Sequence, residues 1–91
     1  MAVITLKFSK CRSAEDIHKV IKEAFSFPDY YGANLDAFYD CLLEQSQKRM
    51  NIRIKGISHL QGTAEECAFG ALNVIKDVHH DFKNIKYKIL S

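Results

Sequence analysis

Hydrophobic and polar residues alternate in three short stretches of the chain, and this period of two is typical of half-buried β-strands. The alternation predicts strands at residues 2–8, 51–57 and 84–90. Apolar side chains of each stretch are expected to face a common core. The predicted inward residues are Ala2, Ile4, Leu6 and Phe8 in the first strand, Ile52 and Ile54 in the second, and Ile85, Tyr87 and Ile89 in the third.

Between these stretches, apolar residues recur every three or four positions, which indicates amphipathic helices. The first helix is predicted from about residue 14 to 25 with Ser13 as its N-cap, and the second from residue 35 to about 45 with Asn34 as its N-cap. Thr63 and Glu66 have the spacing of a capping box for a third helix that ends near residue 81. The predicted buried stripes are Ile17, Val20, Ile21 and Ala24; Leu35, Phe38, Cys41 and Leu42; and Cys67, Ala71, Val74, Ile75 and Val78.

Two residues within these helices need separate interpretation. His18 lies beside the first stripe and is expected to be solvated, with partial burial left open. Gly70 interrupts the third helix at a cost of roughly 1 kcal/mol relative to alanine, which suggests a close approach by another backbone.

The resulting order is β-α-α-β-α-β. Helices between successive strands require parallel pairing and right-handed crossovers, and alternating strands indicate that only one face of the sheet is covered. We therefore predict an α/β fold of two layers, a three-stranded parallel sheet with helices packed on one face. The 91 residues are expected to form a single domain. The open face of the sheet should present Lys7, Arg53, Lys55, Lys86 and Lys88.

Charge is unevenly distributed along the chain, although the net charge is only +2. No Lys or Arg occurs between Glu23 and Gln47, and the acids of the second helix are spaced i, i+4, i+8. Like charges at this spacing weaken a helix by roughly 0.2–0.5 kcal/mol per pair. Asp36 suits the positive end of the helix dipole, but Asp40 and Glu44 do not. Together with Tyr30, Tyr31 and Tyr39, these acids indicate a binding surface.

The run D-Y-Y-G-A-N-L-D-A-F-Y-D-C-L, residues 29–42, resembles the binding loop and second helix of the barstar family, the intracellular inhibitors of barnase-type secreted ribonucleases. The remainder of the chain resembles the family in layout. The resemblance implies a three-stranded parallel sheet under one layer of helices. It also implies a 1:1 complex in which an acidic loop and helix plug the basic active site of a ribonuclease.

The resemblance assigns roles to individual residues. Asp40 matches the central acid that replaces the scissile phosphate, Asp36 the neighbouring acid that pairs with an arginine, and Tyr39 stands where barstar has a tryptophan. Two differences from barstar are that this chain is not strongly acidic overall and that residues 44–62 differ in sequence and length. The complete set of candidate partner-binding residues is Tyr30, Tyr31, Gly32, Asn34, Asp36, Tyr39, Asp40, Leu43, Glu44, Asp77 and Asp81.

Other chemistries are less well supported. Asp36 and Asp40 could form a catalytic carboxylate pair, but an exposed helix lacks the burial that separates two pKa values. Asp77, His79 and His80 could bind a metal, although adjacent histidines point apart and solvated histidines fit a helix end. The basic sheet face could bind RNA, but its outward positions lack aromatic residues for base stacking. We therefore expect no enzyme activity, cofactor, metal or direct nucleic-acid binding.

Cysteine usage and hydropathy bear on the compartment. Cys11, Cys41 and Cys67 are an odd number without a C-x-x-C pair, which predicts reduced thiols. No apolar run approaches the roughly 20 residues that span a bilayer, and no signal peptide pattern is present at residue 1. These features predict a cytoplasmic protein without a membrane partner. A regulatory or immunity-type binding module for another basic protein or toxin is the alternative to a ribonuclease inhibitor.

Overall fold

A computed structural model describes residues 2–90 of the chain. It contains three strands, three helices and one short 3-10 turn in the predicted order, and most boundaries agree with prediction to within two residues. The elements are β1 (Ala2–Lys7), α1 (Ala14–Phe25), α2 (Leu35–Glu44), β2 (Met50–Lys55), the 3-10 turn (Ile57–His59), α3 (Gly62–Asp81) and β3 (Ile85–Ile89).

The three strands form one parallel sheet in the order β1-β2-β3. Its register places apolar residues beside each other across the strands, so that Ile52 on β2 lies between Ile4 and Tyr87. Leu6, Ile54 and Ile85 on the same face are almost completely buried. The predicted α/β class with a parallel sheet is therefore confirmed.

The opposite face of the sheet is basic and exposed. Arg53 lies between Thr5 and Lys88, and Lys7 lies beside Lys55. All four cationic residues are exposed, as is Lys86. The prediction of an open basic face is confirmed, and Lys7 on β1 and Lys86 and Lys88 on β3 disfavour the pairing of these edge strands with other chains.

Helix α3 joins the helical layer together, because it packs against α1, α2 and β3, while α1 also packs on β1. Gly70 lies where α3 meets the start of α2. A Cβ atom at Gly70 would lie 2.4 Å from Cδ1 of Leu35. The close approach expected there does exist, but the neighbour is a side chain rather than a backbone segment.

Five of the six strand boundaries differ from prediction by one or two residues, and local contacts accompany two of these differences. Strand β2 ends at Lys55 because Gly56 has a left-handed φ of 79° and directs the buried Ile57 into the 3-10 turn. Strand β3 begins at Ile85 because the Asn84 side chain turns back towards the connection after α2. There its Nδ2 donates to the carbonyl oxygens of residues 46 and 48, at 2.6 and 2.7 Å.

Strand β3 also differs from prediction at its far end. Ile89 was expected to face the core, and its register partner Ile54 is buried. Ile89 is nevertheless 42% exposed, since β3 is an edge strand and Ile89 is its last residue. The period of two thus identifies the face of the sheet but not how far the helical layer covers it.

The predicted N-cap of α1 is confirmed, whereas that of α3 is not. Ser13 caps α1 through its Oγ, which accepts a hydrogen bond from the Asp16 amide at 3.3 Å. The predicted capping box of α3 is wrong. Helix α3 begins at Gly62, two residues earlier than a Thr63 N-cap would place it, so Thr63 is already helical and the N-cap Gln61 makes no side-chain capping bond.

Gly56, just after β2, lies against Ser9, which follows β1. Comparison with Gly62, the other glycine with a left-handed φ, tests this contact. A Cβ at Gly56 would lie 2.5 Å from the Ser9 backbone nitrogen, whereas a Cβ at Gly62 would meet no atom within 4 Å. Both substitutions strain the backbone by about 1–2 kcal/mol, but only Gly56→Ala adds a clash with backbone.

We predict that Gly56→Ala lowers the free energy of unfolding by at least about 2 kcal/mol more than Gly62→Ala does. Urea denaturation followed by circular dichroism measures both values, with equal m-values required for the comparison. Equal losses in the two variants would show that the Ser9 backbone can move aside.

Candidate functional site: an acidic loop and helix

We call residues 28–34 the binding loop. It follows the end of α1, where a residue in the left-handed conformation terminates the helix. Ser26 has φ of 55°, and its amide bonds to carbonyl oxygens of the last turn of α1. The Phe27 amide donates to the Lys22 carbonyl oxygen at 3.0 Å. These bonds satisfy the end of α1 and reverse the chain towards α2.

The binding loop is anchored by aromatic rings. Phe27 stacks on Phe25 with centroids 5.0 Å apart, and it also contacts Tyr31 at 5.2 Å and Phe38 at 6.2 Å. All four rings are buried. Because these rings come from α1, the binding loop and α2, their packing fixes the three segments relative to one another.

Tyr31 has a different position from the one expected of a binding residue. Only 8% of it is exposed, and its hydroxyl lies 2.7 Å from Nδ1 of His18, which is itself 5% exposed. The surface role expected for the Tyr31 side chain, and the solvated position expected for His18, are both corrected. Ala14, Ile21 and Phe25 are apolar at −4, +3 and +7 from His18, a spacing that would have indicated its burial.

Tyr30 is the aromatic residue that the binding loop presents to solvent, with 72% of its surface exposed. Its hydroxyl donates to Oε2 of Glu44 at 3.3 Å. The negative charge of Glu44 raises the pKa of the Tyr30 hydroxyl. This contact places Tyr30 beside the last turn of α2.

Asn34 fixes the other end of the loop at the start of α2, as predicted. Its Oδ1 accepts from the Ala37 amide at 2.8 Å, and its Nδ2 donates to the Gly32 carbonyl oxygen at 3.1 Å. The left-handed residue of the loop is Ala33, with φ of 51°, and not Gly32. A Cβ at Gly32 would lie 3.2 Å from the Asn34 Nδ2, so the glycine leaves room for the capping side chain.

Asp36, Asp40 and Glu44 form an exposed row along α2, which we call the acidic ladder. Eight residues of helix separate its ends, about 12 Å at 1.5 Å per residue. Within residues 2–90, the identified ion pairs are Lys22–Asp29 and His80–Asp81, and neither involves the ladder. No basic residue lies in the last turn of α2. The ladder is therefore a surface of uncompensated negative charge.

Tyr39 and Leu43 flank the acidic ladder and are half-buried against the core. Part of each side chain is thus available to a partner, while the remainder holds α2 in place. The expected binding surface is therefore mixed, with exposed carboxylates beside partly exposed apolar groups.

Asp77 and Asp81 are exposed on α3. They follow Gly70 by 7 and 11 residues, so a period of 3.6 places all three on one side of the helix. Gly70 faces Leu35 at the start of α2, and Asp77 lies about 10 Å further along α3. Asp77 and Asp81 therefore lie on the side of α3 that faces α2.

The two histidines next to these acids have different surroundings. His79 was expected to be solvated but is half-buried, where its Nδ1–H donates to the Ile85 carbonyl oxygen and its ring contacts Tyr87 edge-on at 5.4 Å. Among the described residues, no group of three or more His, Cys, Asp or Glu could hold a metal ion. His79 instead fastens the end of α3 to β3.

The structure thus defines a small α/β protein in which an acidic helix and the loop before it are exposed beside a well-packed core. Comparison with known families identifies the class more closely. The family model described as Barstar (barnase inhibitor) matches residues 1–90, and the chain belongs to this family. It is also similar to the Bacillus subtilis (strain 168) protein named "Putative ribonuclease inhibitor YrdF", with 32% identity over 76 residues that cover 84% of this chain and 82% of that protein.

Family membership confirms two of the predictions made from sequence. The resemblance drawn from residues 29–42 is correct, and the chain is not an enzyme, because barstar proteins are inhibitors. None of the helices in the described part of the chain has the length and apolar character needed to span a bilayer.

The capping role of Asn34 provides a test of how the binding loop is held. We predict that Asn34→Ala lowers the free energy of unfolding by about 1 kcal/mol, and that Ser13→Ala, which removes the cap of α1, has a similar effect. Only Asn34→Ala should speed amide hydrogen exchange at residues 32–37 beyond the change in global stability, because Asn34 also bonds Gly32. Identical exchange patterns in the two variants would contradict this assignment.

Proposed function

We propose that this protein inhibits a barnase-type ribonuclease by forming a 1:1 complex in which the acidic ladder and binding loop block the active site. The observation that supports this proposal most directly is the exposure of three carboxylates on one helix face without a cationic partner among the described residues. Membership of the Barstar family and the similarity to a protein named as a ribonuclease inhibitor point to the same function.

The proposed mechanism rests on charge. Enzymes that cleave RNA stabilise the negative charge of the transition state with preorganised cationic groups. Asp40, at the middle of the ladder, takes the position of the scissile phosphate among these groups, and Asp36 pairs with a neighbouring arginine. A carboxylate has no bond that the nuclease could cleave, so the site stays occupied.

Binding relieves electrostatic repulsion that is present in the free protein. The ladder carboxylates repel one another at i, i+4, and Asp40 and Glu44 lie progressively nearer the negative end of the α2 dipole. Cations of a partner would compensate both effects. Opposite fields would also accelerate encounter and favour a basic site over other surfaces.

The loop adds contact area beside the charges. Tyr30 is exposed but held at its hydroxyl by Glu44, so its ring is oriented before binding. Tyr39 and Leu43 contribute the exposed parts of their side chains, and Gly32 allows close approach of the loop backbone. A preorganised surface of this kind loses little conformational entropy on binding.

We further propose that the protein acts in the cytoplasm, where it would protect the producing cell from the nuclease before export. The absence of disulfide-type cysteine spacing is consistent with this location.

The first test is titration of the protein into a barnase-type ribonuclease, with RNA turnover as the readout. We predict stoichiometric loss of activity with the unmodified chain, and weakening by about 2 kcal/mol or more, at least 30-fold, for Asp40→Asn, as for truncation of a buried ion pair. Asp36→Asn should weaken inhibition less. The thermal stability of Asp40→Asn should be unchanged or slightly higher, because a repulsive charge is removed.

Glu65→Gln is the matched control, because it changes the net charge equally but lies in the first turn of α3 outside the ladder. It should leave the inhibition constant unchanged. Equal weakening by Glu65→Gln and Asp40→Asn would indicate only long-range charge. No inhibition by the folded, unmodified chain would reject the proposal and favour the alternative, a binding module for another basic protein or toxin.

Asp77 and Asp81 are proposed to contact the same nuclease as a secondary acidic pair. We predict that Asp77→Asn and Asp81→Asn each weaken inhibition by less than Asp40→Asn, while the free energy of unfolding rises by a few tenths of a kcal/mol, because both acids lie near the negative end of the α3 dipole. Inhibition assays paired with urea denaturation measure both effects. Unchanged inhibition in the double variant would remove these residues from the site.

A further inference from the structure

A buried chain of polar side chains runs beneath the binding loop. His18 on α1 lies at its centre, with Nδ1 2.7 Å from the Tyr31 hydroxyl of the loop and Nε2 3.4 Å from Sγ of Cys67 on α3. All three residues are buried, and Cys67 also lies 4.0 Å from the Ala14 carbonyl oxygen. The imidazole ring of His18 therefore connects α1 to the binding loop and to α3.

We propose that His18 is a positioning residue for the binding loop, which it holds in its binding conformation by linking Tyr31 to Cys67. The consequence of this link for inhibition rests on the function proposed above, whereas its consequence for loop order does not. The inference assigns a role to the interior of the protein, in addition to the acids on its surface.

A neutral His18 ring can make both contacts in either of two tautomers. In one tautomer Nδ1–H donates to the Tyr31 oxygen and the Cys67 thiol donates to Nε2. In the other tautomer the Tyr31 hydroxyl donates to Nδ1 and Nε2–H donates to the sulfur. A protonated ring donates from both nitrogens, to the Tyr31 oxygen and the Cys67 sulfur, so the one hydrogen that donated to the neutral ring, from the hydroxyl or the thiol, would lose that acceptor.

The surroundings of His18 also disfavour its charged form. Its other neighbours on α1 are Glu15, Lys19 and Lys22, which line a shallow depression with Tyr31 and Ala33. From the binding loop it meets the neutral Tyr31 hydroxyl, and from α3 the Cys67 thiol. Burial lowers the pKa of His18 and raises the pKa values of Tyr31 and Cys67, so all three groups are neutral at pH 7.

Acidification removes the stability that neutral His18 contributes. The folded protein holds His18 with a pKa below its ordinary value of 6.5, whereas the unfolded chain has the ordinary value. The contribution of neutral His18 to stability is therefore fully present above pH 6.5 and is lost as pH falls through the lowered pKa. Because the ring contacts the binding loop through Tyr31, protonation should disorder this loop first.

Three substitutions separate the link from general packing. Tyr31→Phe keeps the ring packed against Phe27 but removes the hydroxyl, His18→Gln removes the titrating group, and Cys67→Ala removes the thiol. Cys41→Ala is the matched control, since it removes a buried thiol from α2 that makes no contact with His18 in the identified hydrogen bonds of the described residues. All four variants are compared after their free energies of unfolding have been measured.

The test is amide hydrogen exchange of residues 30–34 in the free protein, measured by NMR from pH 7 to pH 5 and corrected for intrinsic rates. Tyr31→Phe and His18→Gln should accelerate loop exchange at pH 7 by roughly fivefold, the factor that corresponds to one lost hydrogen bond, and Cys67→Ala by less. Acidification should accelerate loop exchange in the unmodified chain, and His18→Gln should flatten this dependence.

Unchanged loop exchange in Tyr31→Phe and His18→Gln would overturn the proposal. So would uniform acceleration of all amides, as Cys41→Ala is expected to show. In the nuclease assay, the same two variants should raise the inhibition constant by a similar factor at pH 7. If no nuclease is inhibited but the loop responds as described, the proposed function fails while the positioning role of His18 stands.

Discussion

The arrangement of this protein depends on a few aromatic rings buried beneath the binding loop. Residues 28–34 contain a proline, a glycine and several polar groups, and such a segment would be mobile if exposed on both sides. Phe27 and Tyr31 prevent this by inserting into the space between α1 and α2. Tyr30 and the other exposed groups of the loop keep their positions because the neighbouring rings of Phe27 and Tyr31 are buried. Exposure to solvent and packing in the core are therefore divided between neighbouring residues of one short segment.

The charges are arranged against the stability of the free protein. Carboxylates follow α2 towards its negative end, where a lysine would stabilise the helix, and Asp81 is the last residue of α3. The Asn34 cap, the buried side chains of α2 and the contact of Leu35 with Gly70 offset this cost. Each repulsive pair is worth only a few tenths of a kcal/mol, whereas burial of one large apolar side chain contributes about 1.5–3 kcal/mol. A well-packed core can thus support a surface that carries unpaired charges of one sign.

The amino-acid sequence correctly predicted those features that depend on residues close together along the chain. The period of two located all three strands, and the Ser13 and Asn34 caps were correct because each cap bonds an amide three residues ahead. The cap of α3 was wrong because Gly62 can adopt a left-handed φ, which starts the helix before Thr63. The acids of the candidate site were identified from spacing and resemblance. The burial of His18 was indicated by the apolar residues around it on α1, but its contact with Cys67, 49 residues away in sequence, could not be predicted from local spacing.

The two charged surfaces lie on different layers of the fold, and this separation has a consequence for encounter with a partner. The acidic ladder belongs to the helical layer, while Lys7, Arg53, Lys55, Lys86 and Lys88 belong to the open face of the sheet. A net charge of +2 therefore gives little information about the field near either surface. At about 0.15 M salt the Debye length is about 8 Å, less than the 19 Å extent of the molecule along its shortest axis. A basic partner that approaches the ladder is thus largely screened from the basic face, and local charge rather than net charge governs the final approach.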